Sequence, residues 1–294
     1  YYFAGNPTNN WVKFGRYETD FYSYRGYNSS TSTTSFYDYP TLTKCKNGDS
    51  SHENYFYGCD KHVYGSAGSD MYWRIIRING DNSIRMIYAG TYAPDENTKV
   101  TLTESGEFDD DGNPFRGQKT SVGYSKFNQN YDSAEYVGYM YTIGEQHGTS
   151  QSSDIKTYLE DWYANYTDLN KTGTKIADQI FCNDRSASST QTAAWTSTGA
   201  DYNYGAYGRL SQTTKSPQLI CPTESDKFTV NTSNGNGALT YPVGLITADE
   251  VAMAGGVYSS RNSSYYLYTN QYYWSGSPSS FNSDYSNANG FYVY

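Results

Sequence analysis

Tyr72-Trp73-Arg74-Ile75-Ile76-Arg77-Ile78 runs into Asn79-Gly80-Asp81-Asn82 and returns as Ser83-Ile84-Arg85-Met86-Ile87-Tyr88. Branched and aromatic residues on both sides of an Asn-Gly turn predict a β-hairpin. Arg74, Arg77 and Arg85 interrupt the apolar runs. They read as surface charge on a half-buried hairpin, with an edge meeting solvent or a carboxylate. Upstream, Trp11-Val12-Lys13-Phe14 alternates as an edge strand does.

Two helices are announced downstream. From Ser153 to Tyr166, the apolar residues Ile155, Tyr158, Leu159, Trp162, Tyr163 and Tyr166 recur at helical spacing. Lys156, Thr157, Glu160, Asp161 and Asn165 stand opposite, and Ser152 or Ser153 supplies the cap. Thr247-Ala248-Asp249-Glu250 is a capping box, Ile246 and Val251 occupy the positions of a hydrophobic staple, and Gly255-Gly256 ends the turn. Helices in both places, with strands around them, predict an α+β fold.

The rest is less regular. Residues 1 to 70 read as loops, with Ser29 to Ser35 almost wholly Ser/Thr. Phe108-Asp109-Asp110-Asp111-Gly112-Asn113 has clustered carboxylates but not the glycine and closing glutamate of a calcium loop, so it reads as a solvated turn. Tyr265-Tyr266-Leu267-Tyr268 and Tyr272-Tyr273-Trp274 read as strands, followed by Ser275-Gly276-Ser277-Pro278 and a polar loop to Asn289. The chain ends on Gly290-Phe291-Tyr292-Val293-Tyr294, which reads as a truncated fold. Its opening, Tyr1-Tyr2-Phe3, reads as the interior of a precursor.

Composition narrows the class. Of 294 residues, 36% are apolar and 35 are Tyr, so aliphatic core material is scarce. Disordered chains are poor in aromatics and rich in charge, whereas this one is 18% aromatic and 17% charged. The sequence therefore reads as folded, with tyrosine filling the core. No apolar run approaches the ~20 residues of a membrane span. A net charge of −9, with no basic stripe, argues against nucleic acid and anionic membrane surfaces as partners.

The four cysteines are Cys45, Cys59, Cys182 and Cys221. An even number in a Ser/Thr/Asn/Gly-rich chain suggests disulfides and an oxidising, extracellular setting. Pairing Cys45 with Cys59 and Cys182 with Cys221 is the simplest of three arrangements. A zinc site from Cys45, His52, Cys59 and His62 is the alternative, although its spacing is unlike common zinc loops.

Motifs of catalysis do not emerge. The sequence has no phosphate loop, no nucleophile elbow and no His-Glu-x-x-His, and Gly235-Asn236-Gly237 is only a fragment of a dinucleotide fingerprint. Glu160 and Asp161 lie side by side on a polar helix face, where they read as solvated. No catalytic residue, cofactor or metal is expected on these grounds.

Five phrases carry a resemblance: Trp11 to Gly15, Tyr72 to Gly80, Phe181-Cys182-Asn183-Asp184-Arg185-Ser186, Tyr241 to Val251, and Tyr273-Trp274-Ser275-Gly276-Ser277-Pro278. Together they resemble a group of surface proteins of gut Firmicutes that often begin with a pilin-like leader helix. The resemblance implies a divergent C-type-lectin-like fold, related to formylglycine-generating-enzyme-like domains. It covers most of residues 1 to 15 and 71 to 294 and implies a single domain over 1 to 294, in which residues 16 to 70 look like a loop-rich insertion stapled by the first cysteine pair. The Glu-Pro-Asn, Gln-Pro-Asp and Trp-Asn-Asp elements of calcium-dependent lectins are missing, as are the late cysteines of the formylglycine-generating enzymes.

The expected function is an extracellular binding or adhesion domain on a bacterial surface. Tyr with Ser, Gly and Asn makes an adaptable contact mixture. The expected contacts are Tyr265, Tyr268, Tyr272, Trp274, Phe281 and Tyr285, on a glycan or protein ligand. A sharper form has the Tyr/Asn/Ser-rich tail diversified between isolates. The alternatives are a structural subunit of a filament or layer, partnered by copies of itself, and a secreted glycan-acting hydrolase.

Overall fold

The hairpin forms where its branched and aromatic residues place it. In the computed structural model, β1 (Trp11–Arg16), β5 (Asp70–Ile78) and β6 (Ile84–Gly90) make an antiparallel sheet in the order β1-β5-β6. The described residues are 1–28, 35–39, 42–47, 58–94, 122–123, 125–171, 175–198, 200–269, 273–284 and 287–293. His52, the acidic turn at Phe108, Tyr272 and Tyr285 lie outside them. Ile78 pairs with Ile84 and Arg77 with Arg85. The turn takes its left-handed residue at Asn82 (φ 65°), not at Gly80. The Asp81 carboxylate locks it by accepting from Ser83 N at 3.0 Å and Ser83 Oγ at 2.7 Å.

The described parts of residues 16 to 70 hold more regular structure than their composition suggests. They hold a second antiparallel sheet, β3-β2-β4, from β2 (Phe21–Asn28), β3 (Ser35–Tyr39) and β4 (Gly58–Gly65). A short α1 (Leu42–Asn47) is bridged to β4 by Cys45–Cys59. Tyr17, Phe21 and Tyr64 from this region enter the central core with Met71, Trp162, Tyr163 and Leu169.

The central helix α2 (Asp154–Asn165) is capped by Ser153, whose side chain accepts from Lys156 N. Its buried stripe is Ile155, Leu159, Trp162 and Tyr163, as the spacing predicts. Lys156 departs from the expected polar face and is buried. Its Nζ donates to Glu160 at 2.9 Å, and Glu160 in turn accepts from Thr240 N, so the buried cation is paired.

Tyrosine supplies the missing aliphatics. Tyr17 is fully buried, its hydroxyl accepts from Trp162 Nε1 at 3.1 Å, and it lies 3.1 Å from the Tyr88 hydroxyl. Tyr88 and Trp162 meet its ring edge-on, and Trp73 packs edge-on or tilted against both of them. Buried phenols remain tolerable where the hydroxyl finds a partner.

The C-terminal third differs from its sequence reading. The stretch read as a Ser-Gly-Pro loop belongs to the longest strand, β12 (Tyr273–Asn282), which pairs with β13 (Asn287–Val293). A short β10 (Tyr202–Asn203) joins its other side, after β7 (Met140–Tyr141) pairs with β8 (Gln151–Ser152). The segment at Tyr265 to Tyr268 is turn, not strand. Small residues in β12 let the backbone of its neighbour approach: Gly276 N donates to Ile246 O at 2.7 Å, and Ser277 Oγ accepts from Ala248 N at 3.0 Å. Those contacts seat α4 (Ala248–Ala254), which follows the six-residue α3 (Gly205–Leu210) and carries the complete capping box of Thr247 and Glu250. The fold is thus α+β, built of small antiparallel sheets with four α-helices among the described residues.

Candidate binding cleft

The cleft starts from two of the three hairpin arginines that the sequence reads as surface charge, with an edge meeting solvent or a carboxylate. Arg85 is buried and Arg77 half-buried, and both guanidiniums turn to Glu250, with Nε to Oε1 distances of 3.3 and 3.1 Å. The other oxygen of Glu250 accepts from Thr247 N at 3.0 Å and lies 3.2 Å from Thr247 Oγ1. Arg85 also stacks on the Phe181 ring, 4.0 Å from its centroid. The third, Arg74, is buried elsewhere, donating to Asn10 Oδ1 at 2.9 Å.

A second charge group faces the first. Arg209, from α3, donates twice to Asp249, at 2.8 and 2.9 Å, and once to Asp184 at 2.8 Å. Asp249 also accepts from Gln218 N at 3.0 Å, which ties the segment 218–221, part of the cleft lining, to α4. The Cys182–Cys221 disulfide anchors the end of that segment to β9 (Phe181–Cys182), which pairs with β11 (Lys227–Phe228). Between these walls lies a cleft of about 320 Å³. Leu219 (45% exposed) and Ile220 (72%) form its apolar lip.

The electrostatics follow from burial and pairing. Burial alone would raise the Glu250 carboxyl, but Arg85, the Thr247 amide and Arg77 outweigh it and hold it below its ordinary value. Burial pulls Arg85 below the ordinary guanidinium value, with Glu250 opposing. Burial also pulls Arg209 down, but Asp249 and Asp184 overcome it and the net direction is up.

A pH prediction arises here. Because folded Glu250 titrates below the unfolded value of about 4.3, its stabilisation is complete above that pH. It is lost as pH falls through the lowered folded value. Glu250→Gln is expected to reduce stability at neutral pH and to flatten the acid side of a Tm-against-pH curve. An unchanged acid slope would remove Glu250 from this role.

A separate buried hub lies below the cleft. Asp226 is fully buried and accepts from Arg185 N and Arg185 Nε, both at 2.8 Å, and from His147 Nδ1 at 2.9 Å. Arg185 Nη1 donates onward to the Met140 and Gly148 carbonyls. Sequence reading missed this group, because its members are 41 and 79 residues apart and no local pattern joins them.

Of the expected contact residues, Tyr265, Tyr268, Trp274 and Phe281 are described, and they divide between separate clusters. Tyr265 (1% exposed) and Phe281 (2%) are core residues, which corrects their assignment as contacts. Tyr265 sits with Tyr266, Leu267 and Ile76, and Phe281 with Tyr202 and Tyr204. Tyr268 is half-buried against the Tyr265 cluster, below Arg261. Trp274 donates to Ser125 O at 3.2 Å and packs on Phe127. The tyrosine surplus of the tail is therefore partly core.

Both expected disulfides are present, and Cys45–Cys59 removes those two sulfurs from the zinc alternative. Among the described residues, no group of three or more His, Cys, Asp and Glu side chains is placed to hold a metal. Nor is any described helix long and apolar enough to cross a membrane. Comparison with protein families, curated proteins and solved structures returns no match.

Proposed function

We propose that the chain is an extracellular binding domain of a bacterial surface protein, with a divergent C-type-lectin-like fold, and that it engages a glycan or protein ligand at the cleft. One observation carries the reading. Four of the five phrases behind the resemblance contribute to its lining, with Arg77, Cys182 and Asp184, Thr247, Asp249 and Glu250, and Ser277, while Arg85, Arg209 and the Leu219–Ile220 lip come from outside them. Segments scattered over 200 residues of sequence converge on one concave, charged surface with an apolar lip, the form that small-ligand sites take. Two disulfides are compatible with an extracellular setting.

The test is a glycan and protein array probed with the wild type, with Ile220→Ser and with Arg77→Gln. Signals lost in both variants, with folding intact by circular dichroism, support the reading. Signals unaffected by both variants and lost in Tyr268→Ala would return the contact to the tail.

A filament subunit is the second reading, favoured by one feature. Tyr1 (100% exposed), Tyr2 (56%), Ile78 (37%) and Ile84 (49%) cluster at the hairpin tip, where Ile78 N donates to Tyr1 O at 2.8 Å. Concentration-dependent sedimentation that is abolished by Ile84→Lys would favour it.

A further inference from the structure

Three places could carry more than the fold requires: the His147–Asp226–Arg185 hub, the apolar hairpin tip and the charge layout of the cleft. At the hub, Asp226 is already shared with Arg185, and no nucleophile stands beside His147 among its hydrogen-bonded partners. For the tip, nothing identifies an occupant. The cleft goes further, because its charges are divided unevenly between its two sides.

On one side, two guanidiniums, Arg77 and Arg85, share a single carboxylate, Glu250. On the other, one guanidinium, Arg209, serves two carboxylates, Asp184 and Asp249. Every oxygen of these three acids already has a donor. Glu250 is filled by the arginines and Thr247, Asp249 by Arg209 and Gln218 N, and Asp184 by Arg209 and Ser186 N. The arginine pair is not filled. Arg77 uses Nε on Glu250 and Nη1 on Asn79, and Arg85 uses Nε on Glu250 and Nη2 on Leu245 O at 3.4 Å. Arg77 Nη2 and Arg85 Nη1 make no hydrogen bond to a described residue, and neither is sealed from solvent. Donors are therefore in surplus on that side, in a chain of net charge −9.

We infer that the Arg77–Arg85 side of the cleft receives a carboxylate, and that the apolar flank of the same ligand rests on the Leu219–Ile220 lip. Guanidiniums bind carboxylates through paired, charge-assisted hydrogen bonds, and a low-dielectric wall strengthens them. Ile180 adds a third aliphatic side chain to the lining, and the volume of about 320 Å³ lies at the small end of ligand sites. This deepens the proposed function and rests on the cleft being the contact site.

Calorimetric titration with N-acetyl-leucine, its neutral amide and glucuronate tests the inference. N-acetyl-leucine is expected to bind, with the amide about tenfold weaker or more, the factor one charge-assisted bond supplies. Arg77→Gln is expected to weaken the acid about tenfold and to erase its preference over the amide. Ile220→Ser is expected to weaken acid and amide alike. Equal affinity for acid and amide would overturn the carboxylate, and glucuronate binding as tightly as N-acetyl-leucine would overturn the apolar flank. No binding of any probe, with array signals still lost in the cleft variants, would overturn the ligand class alone. Array signals indifferent to those variants would remove the binding site with it.

Discussion

Replacing Asp226 with Ala is expected to cost about 3–5 kcal/mol of folding free energy, because it leaves the buried Arg185 guanidinium without its counter-charge. Among the described residues, the carboxylate alone meets both the side chain and the backbone N of Arg185, and it holds the His147 ring as well. For a domain of this size, the loss corresponds to a fall in Tm of roughly 10 °C. Asp226→Asn keeps the shape but not the charge and is expected to recover little. The double change Arg185→Met with Asp226→Leu is expected to recover part, since apolar side chains of similar volume carry no desolvation cost. Recovery stops short of full because the Met140 and Gly148 carbonyls lose their donor. A thermal melt of the three variants decides the matter; an Asp226→Ala protein as stable as the wild type would mean that the ion pair does not organise this region.

Removing the Cys182–Cys221 bridge by the double change to Ser is expected to cost about 4 kcal/mol, against about 3 kcal/mol for Cys45–Cys59, if stabilisation follows the entropy of the closed loops. Those loops span 39 and 14 residues. Urea denaturation of the two double variants gives the order directly, and a reversed order would show that the first bridge holds its sheet by more than loop closure. The larger effect also has a local consequence. Cys221 ends the segment that carries Leu219 and Ile220, so without the bridge this lip is held at its other end by the Gln218 to Asp249 and Ser216 to Arg209 bonds. Binding at the cleft is expected to weaken more than binding anywhere else on the surface.

What sequence reading captured is what local chemistry writes. The hairpin, the stripe of α2 and the Thr247–Glu250 box are patterns within a few residues, and each is found where it was expected. The disulfides follow from counting and proximity. The failures are of a different kind. Ser275 to Pro278 has the composition of a loop, yet it is strand, because Ser277 and Gly276 give α4 and residue 246 room to dock. Arg77 and Glu250 are 173 residues apart, so nothing near either arginine announces that it turns inward. The cleft was hidden for the same reason. Its lining was in view as separate phrases of the resemblance, but their meeting is a product of tertiary structure. Lys156 was misplaced because its helical angle borders the apolar stripe, and Glu160 then draws it in.

A core rich in phenols can also ionise. Burial raises the hydroxyls of Tyr17, Tyr88, Tyr139, Tyr204, Tyr266 and Tyr273 above the ordinary phenol value, and takes Tyr163 up to about 12. Their stabilisation is intact below the unfolded value of about 10 and is lost as pH climbs through the raised folded values. Aliphatic side chains are indifferent to base, whereas a buried phenol resists deprotonation for as long as the fold keeps it from water. Alkali, more than heat or urea, is thus the solvent condition to which the choice of tyrosine over aliphatic residues exposes the chain.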